Sequence, residues 1–432
     1  MIRGVIMAYE GYVDLRYQPG DKDVVCRFYL EPKYGTSFEV AASAVAAESS
    51  IGTWTDVETN KAYIKRLAAH VCKMDPVSGI IDISYPVEAF EEGNIPQLLS
   101  SVAGNIFGMK EASNLRLLDI KFPKSFLKDY KGPVYGIEGI RKLLKVKERP
   151  LVGTIIKPKM GLNPKDHAEV AYNAWLGGCD VVKDDENLTS QKFNKFKDRF
   201  LKTIRLRDKA EKKTGEKKMY LANVTAETNE MIRRMRFIED NGGEYAMVDI
   251  ITIGWSGLQT IREVNTRLKL VLHAHRAGHA MFTRYEKHGM SMIPVAKLCR
   301  LIGMDQLHIG TVVGKMAGGL EEIVNCKNAI SMKTTPETKT TLGQEWGKMP
   351  ATFPVASGGL HPGHFQKVIE IFGKNVILQA GGGIHGHPEG TVKGATAARQ
   401  AVDAVMEGTE LKEYARRHPE LQAAIDKFGV LK

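Results

Sequence analysis

Cysteine is scarce in this chain: there are five in 432 residues, Cys26, Cys72, Cys179, Cys299 and Cys326, each far from the next. Such spacing makes neither a CxxC zinc pattern nor a disulfide framework, and it suits a reducing compartment. Long apolar runs are missing too. No stretch approaches the ~18 consecutive apolar residues that span a bilayer. The opening MIRGVIMAYEGYVD has no apolar core followed by a small-residue cleavage site. No secretory signal is read there, so a cytoplasmic location with no membrane partner is expected. With 43% hydrophobic and 26% charged residues, the composition also excludes collagen, a disordered tail and a low-complexity scaffold.

Acid is in short supply, 50 Asp and Glu against 61 Lys and Arg, a formal charge of +11. Much of the excess is local. Residues 192–218 carry twelve Lys/Arg and four Asp/Glu, a net of +8, and Phe193, Phe196, Phe200 and Ile204 recur there at helical spacing. This reads as an amphipathic helix with a solvated basic face. No recognition motif accompanies the charge, so no nucleic-acid partner is expected; anionic small molecules suit it equally well.

From about residue 150 one beat repeats: a short β-branched run ending in polar or glycine residues, then a helical stretch. The runs are Val152–Pro158, Asp180–Lys183, Tyr220–Thr225, Ala246–Gly254, Leu270–His275, Gln306–Thr311, Phe353–Ser357 and Val376–Gly381. Asn163-Pro164 reads as a helix cap plus first-turn proline, and Ile293–Ile302 carries a 3.6 period. Eight βα units predict a closed (β/α)8 barrel, a TIM barrel, over residues 133–432, with a short helical tail. Residues 1–132 lack the beat. Strands near Val24–Leu30 and Ile80–Tyr85, with helical stretches at Phe38–Glu48 and Ile95–Ala103, predict a separate α+β domain. The segment Ser331–Thr352 interrupts the barrel as a long irregular loop, usually functional or mobile.

Barrel active sites sit at the C-terminal strand ends. There the chain places Lys157-Pro158-Lys159, Lys183-Asp184-Asp185-Glu186, His273-Ala274-His275-Arg276, His308 followed by Gly310–Lys315, Ser357-Gly358-Gly359 and Gly381-Gly382-Gly383. Three acids beside one lysine form a like-charge cluster that a divalent cation would relieve, and Asp185 and Glu186 are hard oxygen ligands suited to Mg²⁺. His273, His275 and His279 form a second candidate metal group, although alternation along the strand favours only one or two pointing inward. Glycines after the seventh and eighth strands match the usual barrel phosphate site. Arg276, His308 and Ser357 provide donors for a second anion. A sugar bisphosphate reacting next to a carbonyl is the chemistry these residues suggest.

The segments GTIIKPKMGL, GGCDVVKDDENLTSQ, HAHRAGHAMFTR, HIGTVVGKM, PVASGG and LQAGGG, with AAESSIGTWTDV and SVAGNIFGMK earlier, resemble the large subunit of ribulose-1,5-bisphosphate carboxylase/oxygenase (RuBisCO). The likeness runs in order from Tyr12 to about residue 410 and is nearest the archaeal-type form III, or II/III, without small subunits. It implies a carbamate formed from activating CO2 on Lys183, which with Asp185 and Glu186 ligates Mg²⁺ and takes the C3 proton of ribulose 1,5-bisphosphate; Asp184 is supporting. It makes Lys157 the residue of enolisation and final protonation, with Lys159 beside it, and places His275 at the C3 hydroxyl. Lys315, on the loop after the sixth strand, closes over the new carboxylate. Arg276, His308 and Ser357 bind one phosphate. Gly381 and Gly382 bind the other, with Gly359 close by. The products are two 3-phosphoglycerates, and O2 competes with CO2. The resemblance also makes Glu48, Thr53, Trp54 and Asn105 donations to a neighbouring chain's barrel, Glu48 pairing with Lys315. The minimum unit is then a homodimer, with higher oligomers of dimers allowed. Departures are Ile51, where many members carry Thr, Ile309, where plant-type members carry Ser, and the 331–352 segment.

A RuBisCO-like enolase or isomerase is the nearest alternative. Such proteins usually lack several of the residues that are present here as Lys157, Lys159, Lys183, Lys315, Glu48 and Asn105. A non-enzymatic RNA-binding scaffold would need neither KDDE nor a loop lysine. The archaeal-type likeness implies a role in AMP or nucleoside salvage, with carbon fixation as the alternative.

Overall fold

A computed structural model describes residues 9–55, 57–313 and 319–431. The chain forms two compact units, Met1–Lys131 with His279–Leu301 and Met332–Met349, and Gly132–Gly278 with Ile302–Ser331 and Pro350–Lys432.

The first unit is built on a five-stranded sheet. Asp23–Pro32 lies between Ile80–Pro86 and Ala112–Lys121, antiparallel to both, and His70–Asp75 and the short Gly289–Met290 form the edges. The central strand buries Val24, Cys26, Phe28 and Leu30. Helix Phe38–Glu48 starts where the Ser37 side chain accepts from the Val40 N–H, satisfying one of the helix's free donors. The segment read as an irregular loop, 331–352, is fastened to this unit by buried cations. Arg27 forms a bidentate pair with Asp82 and donates to the Thr338 and Thr341 carbonyls. Lys297 reaches Asp119 at 2.7 Å, and Arg300 lies over the Trp346 ring and donates to the Met332 and Met349 carbonyls. Helix Met292–Ile302, expected from its period, carries both of those cations.

The second unit is a closed barrel of eight parallel strands, Leu151–Ile155, Val181–Lys183, Met219–Asn223, Tyr245–Asp249, Val271–His275, Gln306–His308, Phe353–Ser357 and Ile377–Gln379. The first residues of seven of them, all but Gln306, form one apolar cluster with Ile137, Ile140 and Leu144 of helix Gly136–Leu144. This helix covers the N-terminal mouth, so the opposite rim is left for chemistry. Asn163 caps helix Pro164–Leu176 as expected. The basic helix runs Phe196–Thr214 and buries Phe196, Phe200 and Ile204, with Gly215 ending it in the left-handed region. Phe193, expected on the same stripe, precedes the helix and is 41% exposed. The fourth strand ends at Asp249; the β-branched run from Ile250 to Ile253 is helical, with a kink at Gly254. Among the described residues, no helix is long and apolar enough to cross a membrane.

Asp305 ties the start of helix Gly136–Leu144 to the barrel. Its fully buried carboxylate accepts from the Tyr135, Gly136 and Leu272 N–H groups at 2.7–2.9 Å. Burial raises its pKa to about 6 despite those bonds. The folded state therefore holds a proton here more tightly than the unfolded chain, and this site's contribution to stability grows as pH falls from about 6 toward about 4. Asp305→Ala leaves three buried N–H groups unpaired and should cost about 3 kcal/mol or more, read as a lower denaturation midpoint.

Candidate active site

The second strand ends in Lys183, whose side chain is fully buried. Its Nζ donates to the Asp184 carbonyl at 2.8 Å and lies 3.7 Å from Glu186 Oε2. Burial pushes the amine's pKa down, against the pull of Glu186, Asp185 and Asp249. The neutral amine is therefore easier to reach than on an exposed lysine. The buried Asp185 pairs with Lys157 Nζ at 2.7 Å and accepts twice from Asn187. Burial raises its pKa, but those bonds outweigh it and the group is held below the usual carboxylate range. Glu186 is half-buried between Lys183 and His275, whose Nε2 is 3.6 Å away. Burial opposes its ionisation, and Lys183 with the His275 ring favours it more, so its pKa is lowered as well.

Asp184 faces the opposite way. It is fully buried and accepts from His167, Tyr220, Arg199 and the Asn223 N–H. Burial raises its pKa, and Arg199 with His167 overturns that strongly. This network orients the strand end on which Asp185 and Glu186 stand. Asn223, at the end of the third strand, also donates to the Glu186 carbonyl at 3.2 Å.

Two strand-end residues were missed from the sequence. One is Asn223. The other is Asp249, whose Oδ1 is 3.2 Å from His275 Nδ1. That nitrogen accepts the Ala277 N–H at 3.2 Å, and Asp249 Oδ1 is left buried without a hydrogen-bond partner. Ending the fourth run at its first charged residue would have found it.

Of the three histidines read together, His275 lies at the rim, His273 is fully buried, and His279 bonds the Thr283 hydroxyl. His273 instead joins His308 at 2.8 Å, and His308 reaches Ser357 at 2.6 Å. Among the described residues, no three His, Cys, Asp or Glu side chains are grouped to hold a metal.

At the rim, Arg276 packs against Gly310, where an added Cβ would collide with the guanidinium. Gly381 lies against the Lys157 stem, with room for a Cβ only at 3.1 Å from Cε. Gly359 and Gly382 are exposed, as is Lys159. Lys315 lies outside the described residues.

In the first unit, Glu48 ends helix Phe38–Glu48 and accepts from the Tyr9 hydroxyl at 3.0 Å. Thr53 is half-buried and Trp54 is 65% exposed on the turn that follows; the exposed Asn105 opens the 3₁₀ turn Asn105–Gly108.

Residues 136–428 match the family model "Ribulose bisphosphate carboxylase large chain, catalytic domain", and residues 11–126 match the corresponding N-terminal domain. The chain is 53% identical to a ribulose bisphosphate carboxylase of Methanosarcina barkeri over 421 residues, covering 96% of this chain and 98% of that protein. It is 49% identical to that of Pyrococcus furiosus, covering 98% of each. Among solved structures it is similar to a dimeric archaeal Rubisco from Hyperthermus butylicus (TM-score 0.93, 43% identity, 98% and 100% covered). It is also similar to the octameric enzyme of Pyrococcus horikoshii solved with sulfate ion (TM-score 0.90, 46% identity, 98% and 97% covered).

Proposed function

The chain belongs to the ribulose bisphosphate carboxylase large-chain family, and from that premise we propose that it is an enzyme carboxylating ribulose 1,5-bisphosphate to two 3-phosphoglycerates, with O2 competing. The observation that carries the reading is a pair of contact sets at the rim. Lys157 meets Asp185 at 2.7 Å, Lys183 meets Glu186 at 3.7 Å, and Glu186 meets His275 at 3.6 Å.

The residues present fit Mg²⁺. Asp185 and Glu186 are hard oxygen ligands, Asp249 adds an unpartnered buried oxygen nearby, and the family resemblance makes Lys183, as its carbamate, the further ligand. An ammonium cannot ligate. As a neutral amine, Lys183 forms an N–C bond to CO2 and releases a proton, becoming an anionic oxygen donor. When bound, Mg²⁺ would polarise the substrate oxygens and acidify the C3 hydrogen.

The chain's own groups then handle protons and charge. His275, flanked by Asp249 and Glu186, receives and returns a proton at the C3 hydroxyl. Lys157 holds an ammonium at the rim for the enolisation and the last protonation. Arg276, His308 and Ser357 seat one phosphate, and the Gly381-Gly382 backbone with Gly359 seats the other. Lys159 supports Lys157, and Lys315 stabilises the carboxylate formed by CO2 addition.

The exposed Trp54 and Asn105, with Thr53 and Glu48, serve a second copy's barrel, so the working unit is a homodimer without small subunits in the cytoplasm. Mixing Lys183→Ala chains with Glu48→Ala chains, each inactive alone, should restore activity in hybrid dimers; no recovery would argue against shared sites. AMP or nucleoside salvage is the route we favour as the source of the substrate.

Protein preincubated with bicarbonate and Mg²⁺ should exchange the C3 hydrogen of ribulose bisphosphate with deuterated water; absence of exchange would sink the reading. Gly310→Ala should also be informative. Gly310 has φ +93°, and its new methyl would displace Arg276. We expect KM for ribulose bisphosphate to rise about tenfold, the scale of a weakened charged hydrogen bond, with a smaller change in kcat. An unchanged KM would remove Arg276 from the phosphate subsite.

A further inference from the structure

The helical tail of the barrel unit is anchored at one end and reaches back to the rim at the other. At the start of helix Pro419–Phe428, Glu420 accepts from Lys393 Nζ at 2.6 Å and from Gln400 at 2.9 Å. Its carbonyl oxygen lies 3.0 Å from His387 Nε2. The far end of the helix delivers Lys427, Phe428 and the residues after them to two segments of the rim.

One segment follows the seventh strand. There Phe428 stacks on the His361 ring, with centroids 5.2 Å apart and 22° between the planes, and the Leu431 N–H donates to the Gly363 carbonyl at 3.1 Å. The other is the one-turn helix Gly382–His385 after the eighth strand. Lys427 Nζ donates at 2.7 Å to the carbonyl of Gly386, which ends that turn. The two segments also touch directly: a Cβ on Gly383 would come within 2.3 Å of the Leu360 carbonyl oxygen.

His361 has little else to place it. Its ring lies 3.6 Å from that of His364, and neither Nδ1 has a hydrogen-bond partner. Burial pushes both imidazole pKa values down, that of His361 to about 4. The rings are therefore neutral at pH 7, and packing rather than charge positions them.

These segments continue the strand ends that carry Gly359 and Gly381-Gly382. A side-chain donor can follow an anion by changing rotamer. A backbone N–H moves only with its loop, and its hydrogen bond weakens steeply once distance or angle is lost. A phosphate seat made of backbone groups from two loops thus depends on whatever fixes the spacing of those loops.

We propose that Lys427 and Phe428 are positioning residues for the glycine-lined phosphate subsite: they clasp the segments after the seventh and eighth strands and so hold Gly359 in register with Gly381 and Gly382. This rests on the reading of those three glycines as a phosphate seat. A seat loosened at the clasp holds substrate and transition state equally less well, which raises KM and leaves kcat.

Phe428→Ala should raise KM for ribulose bisphosphate about tenfold, the scale of one weakened hydrogen bond to a charged group, with kcat within about twofold of the parent. Lys427→Met, at an exposed position, should raise KM about threefold. A merely structural loss would lower the active fraction, and with it kcat, at unchanged KM. That result, or an unchanged KM in both variants, would overturn the proposal. Titration of nitrogen-15 glycine-labelled protein with inorganic phosphate separates the two levels. The Gly381 and Gly382 amide signals should shift in the parent, and the phosphate dissociation constant should rise in both variants. If no shift is seen in the parent, the phosphate reading itself fails; if the shift is seen but its midpoint is the same in both variants, only the clasp fails.

Discussion

Lys183→Ala should abolish Mg²⁺-dependent carboxylation while leaving the fold intact. The metal and its third ligand supply several kcal/mol of transition-state stabilisation, so the rate should fall about 10³-fold or more. Stability should change little, because a fully buried ammonium is itself costly and alanine removes it. Lys183→Arg sharpens the result. A guanidinium stays charged and cannot add CO2, so arginine should be as inactive as alanine although it keeps a cation there. Carboxylation near the parent level in either variant would remove Lys183 from the reaction.

Arg199→Met should produce the largest loss of stability. Arg199 and Asp184 are both fully exposure-free, with 3.0 Å between Nη2 and the carboxylate. Deleting one member of such a pair leaves a buried charge uncompensated, a cost of about 3–5 kcal/mol. Asp184→Asn in the same chain removes that charge, so the double variant should be more stable than Arg199→Met alone. The pH dependence has a defined sign. The folded pKa of Asp184 is depressed, so its stabilisation is present above the unfolded value of about 3.9 and is lost as pH falls further. Arg199→Met should lose that acid limb. Urea midpoints across pH would show it, and equal midpoints for parent and Arg199→Met at neutral pH would contradict the pairing.

The barrel was legible because most strands are short, largely apolar runs that stop at a polar residue, as at Lys183, His275 and Ser357. The fourth strand defeated that rule. Ile250-Ile251-Thr252-Ile253 continues the β-branched pattern past Asp249, yet the chain turns into a helix there, so Asp249 was hidden inside an apparent strand. Strands His70–Asp75 and Ala112–Lys121 were overlooked because HVCKMD and ASNLRLLDIK alternate poorly; their neighbours in the sheet supply what local pattern does not. The 331–352 segment carries no periodicity, and its order comes from Arg27, Lys297 and Arg300, cations remote in sequence. Apart from Asp249, the charged site residues were visible as strand-end chemistry. The buried file behind Ser357 was not, since it depends on which ring nitrogen meets which neighbour.

The most direct test is fixation of labelled CO2. Protein preincubated with bicarbonate and Mg²⁺ is given ribulose 1,5-bisphosphate, and acid-stable product is counted and identified. The account predicts label in 3-phosphoglycerate, dependent on Mg²⁺ and absent in Lys183→Ala. No label, with C3 hydrogen exchange still present, would contradict carboxylation and leave an enolase-type reaction on the same scaffold.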